Sequence, residues 1–336
     1  MTLTVAAARA LLEHVMVTAG HTAEDAALIA DHLIDCELRG ITYGGLARAL
    51  SIVERLARVD HRRAMVVERD APSLARIDGG DQIGYVVAHR ATRLAIDKAR
   101  TNGLTTVAAH NTWYTGMLSY YAEMAAAEGL VTMLASNASP WVAPHGSTEG
   151  RFGTNPICFG FPSADEPVIW DIGTSAIIHA EVTLHRRLGT ALPEGVAFDA
   201  GGRPTRDPAA ALAGAFATWG GHKGSGLAIV VHLLGMLAGS TVVPPELADF
   251  GFIIVAIDPG ALTDARQFKA DVAAYADTVR QARPADGGAP VRMPFDRSRA
   301  ERRRRIEADA IEVPDLVYAA LDAYRAPIRQ WHQETP

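Results

Sequence analysis

Cysteine is almost absent from this chain: 336 residues contain two, Cys36 and Cys158. Two such separated thiols supply neither a disulfide framework nor a metal-ligand pair, and this usage fits the reducing cytoplasm. Long apolar runs are lacking too. The best candidate, GLAIVVHLLGMLAG at 226–239, is shorter than the roughly 20 residues that span a bilayer and contains His232, so a buried helix is expected there and no membrane partner. The opening MTLTVAAARALLEHV lacks the cationic start and small-residue cleavage site of a secretory signal. Positive charge is not in excess: 32 Lys and Arg against 38 Asp and Glu leave −6, which gives no reason to expect a nucleic-acid partner. The one basic run, Arg302 to Arg305, lies among Glu301, Glu307 and Asp309 and reads as a solvated helix face. Several signatures are also missing. No GxGxxG follows a first strand, and there is no Walker A loop, GxSxG elbow, HExxH or comparable metal spacing, so no metal is expected.

What remains is an ordinary globular composition, 49% hydrophobic and 21% charged, long enough for two domains or one large domain with insertions. The first ~60 residues carry apolar residues at helical spacing, with Thr22 as an N-cap and Asp25 three residues on. RGITYGGLARAL, residues 39–50, reads as a helix end, a Gly-rich turn and a new helix. YVVAHRATRLAIDKARTNG reads as a helix stopped at Asn102-Gly103. Strand and helix patterns then alternate: LTTVAAH, SYYAEMAAAEG, LVTMLASN, ICFGFPS, PVIWDIGT, the apolar helix and GFIIVAID. The fold class is therefore mixed α/β. Gly, Pro, Ser, Thr and Asn crowd the stretch 135–225, where loops are expected to form a binding site.

Four segments carry candidate chemistry. TWGGHKGSGLAIV leads small residues and Lys223 into a helix start, a setting that favours a phosphate or carboxylate. Such turns also occur without ligands. RFGTNPICFG offers the Thr154 hydroxyl and Asn155 amide to a ribose or carboxamide, and equally fits a plain turn between strands. DIGTSAIIHAEV gathers Asp171, Thr174, Ser175, His179 and Glu181. His179 and Glu181 share a face if this is a strand, but lie about 200° apart if it is a helix. HNTWYTGMLSYY sets His110 and Tyr114 at a strand-to-helix junction, where either could donate a proton or Trp113 and Tyr114 could simply pack.

The order of these pieces resembles the malate/L-lactate dehydrogenase type 2 family, which includes ureidoglycolate dehydrogenases, 2,3-diketogulonate reductases and Δ1-piperideine-2-carboxylate reductases. LRGITYGGLAR, NTWYTGMLSYYAEMAAAEGL, NASPWVAPHG, RFGTNPICFGFP, WDIGTSA, LPEGVAFDAGGRPTRDP and GGHKGSGLA fall in the family's order over almost the whole chain. The resemblance implies a non-Rossmann NAD(P)-binding domain on a mostly antiparallel sheet, residues 71–261, with a mainly helical domain from both chain ends, 1–70 and 262–336. It implies a homodimer with NADPH or NADH as cofactor and a small carboxylate-bearing substrate. Cofactor contacts carried over by motif are Asn155, Asp171, Gly173, Thr174, Ser175, His222, Lys223 and Gly224, with His110 and His179 placed beside them. Thr154 is placed with the substrate.

Three departures are informative. Where most members have Asp-Ser-His-Gly, this chain has Thr42-Tyr43-Gly44-Gly45, and Tyr114 stands where members carry their acid/base histidine. The bare Gly44 leads to the expectation of a wider pocket. Where hydroxy-acid dehydrogenases usually have Gly-Lys, this chain has Ala180-Glu181, as in the Δ1-piperideine-2-carboxylate/Δ1-pyrroline-2-carboxylate reductase branch. The implied reaction is reduction of a C=N or C=O bond next to a carboxylate. Glu181 is the expected proton donor if buried, Tyr114 and Tyr43 are alternative donors, and Arg48 is expected to hold the carboxylate with Gly44 beside it. The alternatives are a 2-hydroxyacid dehydrogenase using a tyrosine, and a cofactor-binding member with lost or altered chemistry.

Overall fold

The computed structural model describes residues 1–325. The chain divides into two compact units, Met1–Asp60 with the residues from Ala300 on, and His61–Arg299. The helical region expected at 1–70 and 262–336 therefore differs in extent: residues 61–70 and 262–299 belong to the second unit, and 326–336 lie outside the described residues. Among the described residues no helix is long and apolar enough to cross a membrane.

In the first unit, helices Val5–Thr18 and Ala23–Leu38 begin at Thr4 and Thr22, whose hydroxyls accept the Ala7 and Asp25 amides at 3.1 Å. Such caps contribute about 1 kcal/mol each. Leu11, Leu12, Met16, Ile29, Leu33, Leu46 and Ile52 are fully buried between these helices and Leu46–Arg58. Thr2–Leu3 pairs antiparallel with Ile311–Glu312, which closes the unit from both chain ends. The basic run is only partly a solvated face. Arg303 and Arg304 are exposed, but Arg302 donates to Asp35 at 2.6 Å, and Arg305 to Glu301 at 2.6 Å and the Glu37 carbonyl at 2.8 Å.

In the second unit seven strands form one sheet, in spatial order Val66–Ala71, Leu74–Ile83, Leu104–Trp113, Phe250–Ile257, Val131–Ser136, Ile157–Phe161 and Val168–Ile172. Only Leu74–Ile83 against Leu104–Trp113 is parallel, joined by helix Gly84–Asn102; the other five pairings are antiparallel. That helix stops as expected, with Gly103 left-handed and its N–H donating to the Ala99 carbonyl at 2.7 Å. Side-chain alternation sends Phe252, Ile254 and Ala256 to one face, beneath helices Gly84–Asn102 and Leu118–Ala127. Ile253 points to the opposite face, against helix His222–Ala238.

That last helix corrects one expectation: it is not a buried helix. Ala228, Val231, Gly235 and Ala238 face the sheet, whereas Ile229, Val230, Leu233 and Leu237 are about half exposed or more. On its buried side the backbone approaches the sheet closely. A Cβ on Gly251 would collide with the Gly235 carbonyl, and one on Gly235 would lie 2.5 Å from Asn137 Nδ2. Asn137 fills the junction, donating to Ser240 Oγ and accepting the Gly251 amide, both at 2.7 Å.

Candidate active site

Three segments of the second unit are stitched together by backbone hydrogen bonds. The Thr174 amide and hydroxyl both donate to the Thr154 carbonyl, at 2.9 and 3.1 Å, and the hydroxyl also reaches the Asn155 carbonyl. Ser175 bridges Thr218, and the Trp219 amide donates to the Thr174 carbonyl at 2.9 Å. From Trp219 the chain turns through Gly220 and Gly221, at φ of 63° and 58°, into helix His222–Ala238. Thr154, Asn155, Gly173, Thr174, Ser175, His222, Lys223 and Gly224 are thereby brought into one region.

Their roles differ from one another. Asn155 is fully buried at positive φ; its Nδ2 donates to the Ala228 carbonyl at 2.9 Å and its Oδ1 accepts the Ala138 amide at 3.2 Å. The amide expected on a ligand is thus engaged inside the protein. Gly224 is equally structural, because a Cβ there would strike the Trp219 carbonyl. Asp171 accepts the Ser119 amide at 2.8 Å and caps helix Leu118–Ala127. Burial pushes its carboxyl up, and hydrogen bonds from Ser119 and Leu118 oppose this. The neighbouring Cys158 thiol is pushed up by burial and then by Asp171 and Glu123.

What stays available is a shorter set. His222 and Lys223 are exposed at the helix start, where the first amides have no intrahelical partner. The Ser175 hydroxyl is buried and makes no hydrogen bond among the described residues. An orphaned hydroxyl beside a cationic helix N-terminus fits the anionic and polar parts of a dinucleotide. His145, which sequence reasoning did not single out, has its ring 6.3 Å from that of His222, and its amide donates to Ser225 Oγ at 3.1 Å. Its only sequence signal was its place in NASPWVAPHG. Among the described residues no group of His, Cys, Asp and Glu could hold a metal ion.

Residues 179–188 form a helix, which settles the open choice between strand and helix. His179 and Glu181 therefore point about 200° apart. The His179 ring stacks on Trp141 at 4.1 Å. Glu181 is half-buried in the first helical turn, not enclosed, and its carboxylate makes no hydrogen bond or ion pair among the described residues.

Tyr114 ends strand Leu104–Trp113 in the left-handed region, at φ 51°, and is 8% exposed. A tyrosine in that conformation is strained and stays there only where its surroundings enforce it. They do: Gly84, lacking a Cβ, lets the Tyr114–Thr115 backbone pass, and Trp113 Nε1 donates to the Asp81 carbonyl at 3.0 Å. Asp78 accepts from the Gly80 amide and Asn111 Nδ2 and pairs with Arg63 at 2.8 Å, which holds its carboxyl low against the effect of burial. His110 is placed elsewhere. Its Nε2 lies 3.2 Å from Glu68 Oε2 and its ring packs on Gly239, at the opposite end of the helix from His222, roughly 25 Å along its axis.

In the first unit Tyr43 and Gly44 lie on the single 3-10 turn Thr42–Gly44, and Arg48 is buried in the first turn of Leu46–Arg58. The space beside Gly44 is not vacant: a Cβ there would sit 3.3 Å from Cys36 Sγ and 3.4 Å from Ile41 Cγ2. A side chain at this position would start from a closely packed base.

Comparison with known proteins gives a consistent outcome. The model of a family described as malate/L-lactate dehydrogenase matches residues 3–322. A malate/(S)-sulfolactate dehydrogenase of Methanothermus fervidus is 31% identical over 316 residues, 91% of either chain. A Δ1-pyrroline-2-carboxylate/Δ1-piperideine-2-carboxylate reductase of Pseudomonas aeruginosa is 32% identical over 87% of this chain and 90% of its own. A solved dehydrogenase structure from Sinorhizobium meliloti superposes with a TM-score of 0.90 at 35% identity, covering 97% of this chain and 98% of that one.

Proposed function

The chain belongs to the malate/L-lactate dehydrogenase family, and from that premise we propose that it is an NAD(P)H-dependent reductase of a C=N bond in a cyclic imino acid, or of a C=O bond, next to a carboxylate. The relatives are dehydrogenases and reductases of small carboxylate-bearing substrates. The carrying observation is Glu181: a half-buried carboxylate with no hydrogen bond or ion pair among the described residues, whereas Asp171 caps a helix and Asp78 pairs with Arg63. A carboxyl left unengaged by the protein is available to protonate an imine nitrogen or to hold the protonated iminium.

When bound, NADPH or NADH supplies the hydride. The Ser175 hydroxyl and the His222–Lys223 helix start would hold the cofactor's polar and anionic groups, in a domain whose sheet is mostly antiparallel and not of the Rossmann kind. Arg48, in the first unit, is the residue assigned to the substrate carboxylate. Glu181 would hold the protonated imine nitrogen beside the carbon that accepts the hydride. The protein acts as a cytoplasmic homodimer, with the apolar flank Ile229, Val230, Leu233 and Leu237 as the contact.

A second reading, a 2-hydroxyacid dehydrogenase with Tyr114 as acid/base, draws on that residue's strained, buried placement. One experiment separates them. Cyclic imino acids and keto acids are offered with NADPH and NADH, and Glu181→Gln is compared with Tyr114→Phe. The glutamate reading expects Glu181→Gln to lower kcat on imino acids by about 100-fold or more. An unchanged kcat in Glu181→Gln, with activity abolished in Tyr114→Phe, would show the glutamate role to be wrong.

A further inference from the structure

Helix Leu46–Arg58 has no conventional cap. Its N-cap residue is Gly45, which has no side chain to offer. The acceptor comes instead from the preceding helix: Glu37 Oε1 receives the Leu46 amide at 2.7 Å. The two sites are matched, because a Cβ on Gly45 would fall within the van der Waals envelope of Glu37 Oε1, Cγ and Cδ. Glu37 is 3% exposed, and its Oε2 is buried without a hydrogen-bond partner among the described residues.

We infer that Glu37 is a positioning residue: by capping helix Leu46–Arg58 through the bare Cα of Gly45, it fixes the turn that carries Tyr43 and the helical turn that carries Arg48. The inference rests on the proposed function, in which Arg48 holds the substrate carboxylate. Arg48 is the third residue of the helix, so the geometry of the Leu46 amide sets the direction from which its side chain departs. The charged and titratable groups around Glu37 are Asp35 and Cys36 on its own helix, Arg39 at that helix's C-cap, Arg48 on the capped helix, which acts on Cys36, and Arg302 and Arg305 from helix Asp296–Ala308, which reach Asp35 and the Glu37 carbonyl. Arg305 donates to the Glu37 main-chain carbonyl and to Glu301. Burial pushes the Glu37 carboxyl up to about 8, against the Leu46 hydrogen bond and Arg305, which lower it. The cap is therefore a neutral acceptor below that pH and a charge-assisted one above it.

The test compares wild type with Glu37→Gln, which keeps the volume and the acceptor but not the charge. In wild type, the Leu46 amide resonance and KM for a carboxylate substrate are expected to inflect together near pH 8. The KM change is expected to be about five- to tenfold, the difference between a neutral and a charge-assisted hydrogen bond, with kcat unmoved. Glu37→Gln should lose both inflections. If KM keeps its wild-type pH profile in Glu37→Gln, or if only the unfolding midpoint moves, the inference is overturned while the proposed function stands. If wild type turns over no imino or keto acid, the proposed function falls and takes this inference with it.

Discussion

Two glycines of the same helix should respond oppositely to one methyl group. Gly235 faces the sheet, and a Cβ there would lie 2.5 Å from Asn137 Nδ2 and 2.6 Å from its Oδ1. Asn137 must then move, which breaks its bonds to Ser240 Oγ and the Gly251 amide in a fully buried junction. Each buried polar group left unmet costs about 1–3 kcal/mol. Replacing a helical glycine by alanine returns about 1 kcal/mol. The net expectation for Gly235→Ala is a loss of about 2–5 kcal/mol. For a unit the size of His61–Arg299 that is a fall in Tm of roughly 10 °C. Gly226, about two and a half turns earlier and exposed, has no heavy atom within 4 Å of where its Cβ would stand. Gly226→Ala should therefore gain about 1 kcal/mol. Urea unfolding and calorimetry on the two variants read this directly. Equal stabilities would refute the claim that close helix–sheet approach, and not glycine's intrinsic helix cost, governs position 235.

Other outcomes follow from the same contacts. Glu37 titrates near 8 when folded against an ordinary 4.5, so the native chain keeps a proton that the unfolded chain has lost across that window. Stability should fall as pH rises from about 5 to 8, by on the order of 5 kcal/mol at most, and Glu37→Gln should flatten that slope in urea titrations. Asn155→Ala removes two buried hydrogen bonds without touching a ligand-facing group, so its unfolding midpoint should drop by the equivalent of about 2–4 kcal/mol. Asp171→Ala uncaps helix Leu118–Ala127 and should cost about 1–2 kcal/mol in the same assay. Leu233→Glu with Leu237→Glu should reduce the sedimenting species to a single chain with little change in helix content, because both side chains are more than half exposed.

Much of the fold was legible because its signals are local. Thr22 capping onto Asp25, the Asn102-Gly103 stop and the turn at 42–45 each need only neighbouring residues. The family resemblance named segments 154–155, 173–175 and 222–224, and backbone bonds bring them together. What it could not supply was which polar atoms remain for a ligand. Asn155 answers to Ala138 and Ala228, and Asp171 to Ser119, partners 17, 73 and 52 residues away, so their engagement has no local trace. Gly44 is a similar case: an absent side chain says nothing of Cys36, whose sulfur would stand 3.3 Å from a Cβ there. Helix His222–Ala238 is apolar all round, so periodicity carried no sign that one flank faces outward.

The pairing of Thr2–Leu3 with Ile311–Glu312 has a consequence in time. The first unit needs residues from both sides of the 239-residue stretch His61–Arg299. At synthesis rates of about 5–20 residues per second, its first sixty residues wait roughly 10–50 s for their partners. Throughout that interval the faces bearing Leu11, Leu12, Met16, Ile29 and Leu33 lack the helix that completes their cover. The second unit is continuous in sequence and meets no such delay. Nascent chains stalled before residue 300 should therefore hold a folded second unit behind a protease-sensitive, chaperone-binding amino-terminal segment.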